Sequence, residues 1–133
     1  MSEENKAIVR RWLEDGLNAR NLAIIDELFA PDYANHSPRL GVVGREYTAL
    51  ETAEFFVAFP DWRTTIDDVI AEGEKVVVRR TVQGTYTGEV QGAPVPPTGK
   101  LVTFTIWEMF RVSDGKIVEP WAIHDFQQQI SVK

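Results

Sequence analysis

The segment EPWAIHDF, residues 119–126, concentrates residue types that can move protons. His124 is one of two histidines in the chain, and Asp125 follows it directly. An imidazole changes its charge near neutral pH, and a carboxylate beside it can act as a base. The segment therefore raises the hypothesis of a catalytic strand. The alternative is that His124 is an ordinary histidine at the edge of a sheet.

Glu108 lies in a second apolar segment, TIWEMF. Alternation along a strand predicts that Phe104, Ile106 and Phe110 share its face. A carboxylate between such neighbours is costly to bury unless it is paired or protonated, which makes Glu108 a candidate base in an apolar pocket. In the alternative, this face is solvated and the inward residues are Thr105, Trp107 and Met109.

The elements that must position these residues fall into two groups. Apolar residues at helical spacing predict helices over residues 5–18, 21–29 and 45–58, the second capped by Asn21. A period of two then predicts strands over 64–72, 75–89, 100–112 and 116–130, and Asp114-Gly115 predicts a tight hairpin between the last two. Helices followed by antiparallel strands are typical of an α+β fold, here a curved sheet that wraps around helices and leaves an internal cavity.

Composition limits the classes of function. The net charge of −6 is unfavourable for nucleic acid, and the absence of cysteine excludes disulfides and a thiol nucleophile. No stretch of 18 apolar residues or signal peptide appears, so we expect a single soluble cytoplasmic domain, residues 1–133, without a membrane partner. Two widely separated histidines are a poor basis for a metal site. Gly-rich phosphate loops and nucleophile elbows are absent as well.

Three segments carry a resemblance to a known family. They are ELFAPDYANHSP, residues 27–38; AFPDWRTTIDDVIAEGEKVVVRRTVQGTYTGE, residues 58–89; and PPTGKLVTFTIWEMFRVSDGKIVEPW, residues 96–121. Together they resemble the SnoaL-like polyketide cyclases of the nuclear-transport-factor-2-like superfamily. The resemblance implies a cone-shaped α+β fold, a homodimer formed through the outer sheet face, and an intramolecular aldol condensation that uses no metal or organic cofactor.

The resemblance also implies site residues. His36 matches a family histidine, the alternative being a loop histidine that only caps backbone groups, and Glu108 falls where the family usually has Asp or His. Where the family reads His-Trp-Asp, this chain reads Pro120-Trp121-Ala122, so the usual acid position holds Ala122. We expect His124, and with less weight Asp125, to supply a replacement polar group. The predicted substrate-binding residues are Trp12, Tyr33, Asn35, Phe55, Phe59, Trp62, Tyr86, Phe104, Trp121 and Ala122.

Three functions remain open. The first is cofactor-independent acid–base catalysis, of the aldol cyclase or isomerase type, on a small hydrophobic carbonyl compound. The second is non-catalytic binding of a small apolar ligand, which the loss of the family acid favours. The third is epoxide hydrolysis, which requires an Asp–Arg–Asp set around a water molecule; its candidates are Asp125, Arg80 or Arg111, and Asp67 or Asp68.

Overall fold

A computed structural model describes residues 2–37, 41–88 and 96–125, without the side chains of Ser37 and His124. The helices are α1 (Ser2–Arg11), α2 (Ile24–Leu28) and α3 (Arg45–Ala58). A π-helical turn (Trp12–Asn18) continues α1. The strands are β1 (Asn35–Ser37), β2 (Gly41–Val43), β3 (Arg63–Glu72), β4 (Lys75–Thr85), β5 (Leu101–Ser113) and β6 (Lys116–His124). The predicted α+β order, with helices first and antiparallel strands after them, is confirmed.

One four-stranded sheet, in the order β3-β4-β5-β6, is antiparallel throughout. Asp114 and Gly115 turn the β5–β6 hairpin with φ angles of 51° and 75°, as the sequence predicts. The inner face of β4 carries every second residue, because successive side chains of a strand point to opposite faces. These inward residues are Val76, Val78, Arg80 and Val82. Their register partners on β5 are Phe110, Glu108, Ile106 and Phe104.

Two apolar clusters flank the middle of the inner sheet face. The larger joins α1, the π-helical turn and α2 to the sheet and contains the fully buried Val9, Leu13 and Ile117. The smaller contains Phe59 and Tyr86, whose rings stack at 5.3 Å between centroids. Since each cluster fills one region of the concave face, the space between them is left for a cavity.

Three details differ from the sequence predictions. The segment 31–44, where Pro, Asn, Ser and Gly predict a loop with a short extended piece at YANH, contains a two-stranded ladder of β1 with β2. Helix α2 begins after Ala23 and has no side-chain cap, so the predicted capping by Asn21 is wrong. In α3 the predicted bounds are confirmed, but Leu50 and Val57, on its apolar stripe, are 69% and 70% exposed. No helix in the described part of the chain is long and apolar enough to cross a bilayer.

Candidate active site

A cavity of about 260 Å³ lies between the inner sheet face and α3. Its sheet wall combines Phe104, Ile106 and Glu108 of β5 with Arg80 of β4. Helix α3 contributes Thr48, Glu51, Thr52 and Phe55, which recur at helical spacing and therefore share one side of that helix. The remaining wall consists of Trp12, Leu17, Phe29, Tyr33, Asn35, Trp62, Phe110, Pro120 and Ala122. A mostly apolar chamber with a few polar groups is typical of a small-molecule site.

A buried ion pair forms the polar centre of the sheet wall. Arg80 Nε donates to Glu108 Oε1 at 2.8 Å, and Arg80 Nη1 donates to Thr64 Oγ1 at 3.0 Å. The two side chains are 6% and 12% exposed, so each charge depends on the other for compensation. Glu108 Oε2 has no further partner among the described residues. The structure thus places Glu108 on the inner face, as predicted, with an acceptor oxygen left over for a ligand.

Tyr33 adds a hydroxyl donor close to this pair. Burial raises the pKa of Tyr33 to about 12, the charges of Glu108 and Glu51 contribute to the rise, and a contact with Thr48 opposes it. Thr48 Oγ1 itself has no hydrogen bond of ordinary geometry among the described residues, so its contact with Tyr33 is weak. The Tyr33 hydroxyl therefore stays protonated at physiological pH and remains able to donate.

The π-helical turn fixes the start of β3, which carries part of the cavity wall. Asn18 donates from Nδ2 to the Thr64 carbonyl at 2.9 Å and accepts from the Thr64 N–H at 2.8 Å. Arg20 Nη2 donates to the carbonyls of Pro60 and Trp62 at 3.1 and 2.8 Å. The Asn18 contacts connect the helical layer to Arg80, because the Thr64 hydroxyl accepts a hydrogen bond from Arg80.

Two buried polar atoms of the cavity-lining residues lack partners. Trp62 Nε1 and Thr48 Oγ1 have no hydrogen bond within residues 2–37, 41–88 and 96–125, although Trp62 and Thr48 are only 8% and 9% exposed. Native proteins pair most buried polar groups, so both atoms require an explanation.

The two histidines do not occupy equivalent positions. His36 is on β1 at the cavity mouth, 60% exposed, with Nε2 3.3 Å from Glu119 Oε2. It lines an outer groove, not the inner chamber, and shares that groove with Glu108. The backbone of His124 pairs with Ile106, but the side chain lies outside the described residues, so its predicted role stays a prediction.

The last strand places its small residues opposite the ion pair. Ala122 pairs with Glu108, and Pro120 pairs with Phe110; both line the chamber. Asp125 lines neither the chamber nor the groove, and its Oδ1 accepts the Thr105 backbone N–H at 2.8 Å. This contact holds the backbone of β5, and the predicted catalytic role of Asp125 stays a prediction that this position does not support.

Most of the predicted substrate-binding residues surround the chamber. Those that line it are Trp12, Tyr33, Asn35, Phe55, Trp62, Phe104 and Ala122. Phe59 and Tyr86 are instead fully buried in the smaller apolar cluster. Trp121 points to the outer side of the sheet, where it is 42% exposed beside Met109, because its position alternates with that of Ala122.

The acid–arginine–acid set for epoxide hydrolysis is not assembled. Asp67 accepts from the Thr81 hydroxyl at 2.7 Å, and Asp68 accepts from Arg79 at 2.6 Å, both on the outer face. Arg111 contacts Glu74 and Glu119 instead of the chamber. Of the proposed residues, only Arg80 lines the chamber.

Sequence reasoning missed the ion-pair partner of Glu108. The signal was present, because Arg80 interrupts an inward-facing row of valines in β4, where a charge must be paired. It also missed Thr64, Thr48 and Glu51, for which short or polar side chains in amphipathic elements give no distinctive pattern. Among the described residues, no group of three His, Asp or Glu side chains is arranged to hold a metal ion.

Comparison with known proteins extends these observations. The chain matches the SnoaL-like polyketide cyclase family over residues 7–131. IdmH of Streptomyces antibioticus, described as a candidate polyketide cyclase, is 31% identical with a TM-score of 0.81, over 96% of this chain and 99% of IdmH. AclR of Streptomyces galilaeus, described as a candidate hydroxylase, is 28% identical with a TM-score of 0.81, over 96% of this chain and 82% of AclR. No curated protein matches significantly.

A third structure confirms the architecture. A SnoaL-like protein of Jannaschia sp. CCS1 superposes with a TM-score of 0.86 at 25% identity, over 98% of this chain and 91% of that protein. Helices on a curved antiparallel sheet, the nuclear-transport-factor-2-like fold, are thus common to all of these molecules. The match over residues 7–131 covers almost the whole sequence, and the chain belongs to the SnoaL-like polyketide cyclase family.

Proposed function

We propose that this protein catalyses cofactor-independent proton transfer on a small, mostly apolar carbonyl compound, of the aldol cyclase or isomerase type. The observation that carries the proposal is the buried Arg80–Glu108 pair on the wall of an otherwise apolar chamber. Burying two charges costs desolvation free energy, so a buried ion pair at a cavity wall supports a role for these residues in catalysis.

The proposed step is removal of a proton from the carbon next to the carbonyl. Glu108 Oε2, which has no protein partner in the described part of the chain, accepts that proton. The electron pair of the broken C–H bond moves to the carbonyl oxygen and forms an enolate, which the Arg80 guanidinium and the Tyr33 hydroxyl stabilise as donors. Return of the proton from Glu108 to another carbon gives isomerisation. Attack of the enolate carbon on a second carbonyl breaks its C=O π bond, and the resulting alkoxide takes the proton back from Glu108 to give the aldol product.

Exchange of hydrogen for deuterium tests this step without knowledge of the natural substrate. In heavy water, the protein should accelerate deuteration of the methyl group of an aromatic methyl ketone, measured by NMR. Because Glu108 is the assigned base, Glu108→Gln should lower the rate by on the order of 10²-fold or more. Aromatic polyketide methyl esters, assayed for turnover, extend the test to cyclisation.

The neighbouring register pair of β3 and β4 provides a matched control. Arg79 and Asp68 form a similar ion pair, but on the outer face, where the side chains are 38% and 59% exposed. Asp68→Asn should leave the exchange rate unchanged. An equal rate in wild type and Glu108→Gln would remove Glu108 from the mechanism.

A second function, ligand binding without catalysis, is favoured by Ala122. That residue pairs with Glu108 across β5 and β6, where the resemblance implies a carboxylate. With Ala122 and Pro120 in place, the chamber gains space but loses a second proton-transfer group. Saturable binding of the aromatic ketone with no acceleration of exchange would support this function over the catalytic one.

The outer sheet face supports the proposed homodimer. Ile70, Val77, Met109 and Trp121 are register partners across all four strands and form one apolar row on that face. Trp107 and Ile123 extend it in the next row, at 54% and 76% exposure. Contiguous apolar surface of this kind is typical of a subunit interface.

A further inference from the structure

Trp62 lines one end of the chamber and carries a donor that no described residue satisfies. Its indole packs among Phe55, Phe59 and Phe104, at centroid distances of 5.4, 5.8 and 5.9 Å. These rings provide no oxygen acceptor. Indole Nε1 only donates, and it has no partner among the described residues. Because Trp62 lines the chamber, a ligand there can supply the missing acceptor.

Glu108, Tyr33 and Thr48 form a polar group towards the opposite end of the chamber. Thr48 and Tyr33 interact there, and Thr48 lies seven residues before Phe55 on α3. Seven residues of helix span about 10 Å. On the sheet wall, four residues separate Glu108 from Phe104, or about 13 Å of strand. Both walls thus separate the Trp62 end from the Tyr33–Glu108 end by about 10–13 Å, with Ile106 between them.

We propose that the chamber selects an elongated aromatic ligand with a polar group at each end, the inner one being an acceptor oxygen for Trp62 Nε1. The inference rests on the proposed function for the outer end, where the reacting carbonyl meets Arg80 and Tyr33. It adds that the far end of the ligand is also recognised. An apolar far end leaves the indole N–H unsatisfied, which disfavours ligands that lack the oxygen.

A ligand oxygen can reach Trp62 Nε1 only after a small movement of the side chains around it. Nε1 has essentially no exposed surface, so a neighbouring ring must give way before an oxygen can approach it. Phe55 has the nearest ring centroid and is only partly buried, which makes it the side chain best placed to move. The hydrogen bond that then forms offsets this rearrangement, because it satisfies a donor that is otherwise buried without a partner.

Two isosteric probes test the inference. One is a naphthyl methyl ketone with a methoxy group at the far end of the ring system; the other carries an ethyl group there. Calorimetry should show that wild type binds the methoxy probe about tenfold more tightly, the ratio expected of one buried hydrogen bond. Trp62→Phe, which keeps an aromatic ring and removes the N–H, should bring the ratio close to one.

Trp107→Phe is the matched control, since Trp107 lies on the outer sheet face and should keep the tenfold ratio. An equal ratio in wild type and Trp62→Phe, or no preference in wild type, would overturn the inference. If Trp62→Phe fails to fold, the indole N–H resonance of Trp62 in wild type gives the answer. It should move downfield with the methoxy probe and not with the ethyl probe, and equal movement with both would also contradict the assignment.

The proposed function fails by a different measurement. A tenfold binding preference with no Glu108-dependent deuterium exchange would leave the recognition by Trp62 standing and remove the catalysis. Glu108-dependent exchange at equal rates and affinities for both probes would do the reverse.

Discussion

Removing one partner of the Arg80–Glu108 pair should destabilise the protein strongly, whereas replacing both partners with apolar residues should not. Arg80→Met leaves the Glu108 carboxylate inside an apolar wall with no cationic partner. Glu108→Leu leaves the Arg80 guanidinium with the Thr64 hydroxyl as its one acceptor among the described residues. The double variant, Arg80→Met with Glu108→Leu, removes both buried charges together and fills a similar volume.

The burial of the two side chains determines how much unfolding free energy each single variant loses. Arg80 as a residue is 5% exposed, and the Glu108 side chain is 12% exposed. Breaking a buried pair costs about 3–5 kcal/mol. Because this pair borders a chamber that admits water, we expect the lower end, about 3 kcal/mol for each single variant. The double variant should lie within about 1 kcal/mol of wild type or exceed it in stability.

Equilibrium unfolding in urea, followed by tryptophan fluorescence, measures these differences. Unchanged slopes among the four proteins would confirm that midpoint shifts report stability. The outer pair provides the reference cycle, since Arg79→Met and Asp68→Leu should each cost less than about 1 kcal/mol on an exposed surface.

Additive costs would refute this reasoning. If the double variant were destabilised by the sum of the two single changes, the residues would act independently and the pair would not be coupled. Single costs below 1 kcal/mol, equal to those of the outer pair, would show that water screens the inner pair as well. A double variant that is stable but inactive in deuterium exchange would separate function from folding.

Three further predictions concern other parts of the structure. The pKa of Tyr33 is about 12 against an ordinary 10.0, so its protonated phenol contributes stability that is complete below pH 10 and lost as pH rises towards 12; Tyr33→Phe should flatten this alkaline decline in urea midpoints. Gly16→Ala gains about 1 kcal/mol of helix propensity, but the added Cβ would lie 2.5 Å from the Trp12 ring. A net loss of about 1–2 kcal/mol in unfolding free energy, with weaker ligand binding, should follow. Val77→Lys should convert the proposed dimer to a monomer in sedimentation experiments, and an unchanged mass would contradict the proposed interface.

Periodicity predicted much of the scaffold because the relevant signals are local. The two-residue alternation of β4 and β5 predicted which side chains share a face, and Asp114-Gly115 predicted the hairpin. Alternation left both faces open for Glu108, and the family resemblance favoured the inner one. Its partner Arg80 was not predicted. Arg80 is the register partner of Ile106 and reaches Glu108 diagonally on the neighbouring strand, and the spacing of residues within one strand does not show that register.

Helix α3 shows where a periodic pattern misleads. Its apolar stripe predicts that Leu50 and Val57 are buried, yet they are exposed, and Thr48, Glu51 and Thr52 line the chamber. Hydrophobic periodicity assumes that a helix packs on an apolar core. Helix α3 instead covers a chamber and turns polar side chains towards it, so its apolar stripe does not show which side of the helix faces inward.

Several local features that disfavour stability meet at one place. The π-helical turn contributes Trp12 and Leu17, the sheet contributes a buried ion pair, and α3 turns polar residues inward. The unsatisfied indole of Trp62 belongs to the same wall. Departures from packing rules are expected where function outweighs stability, and scattered departures would carry no such meaning. Their convergence on one chamber is therefore stronger support for a functional site than any one of these residues alone.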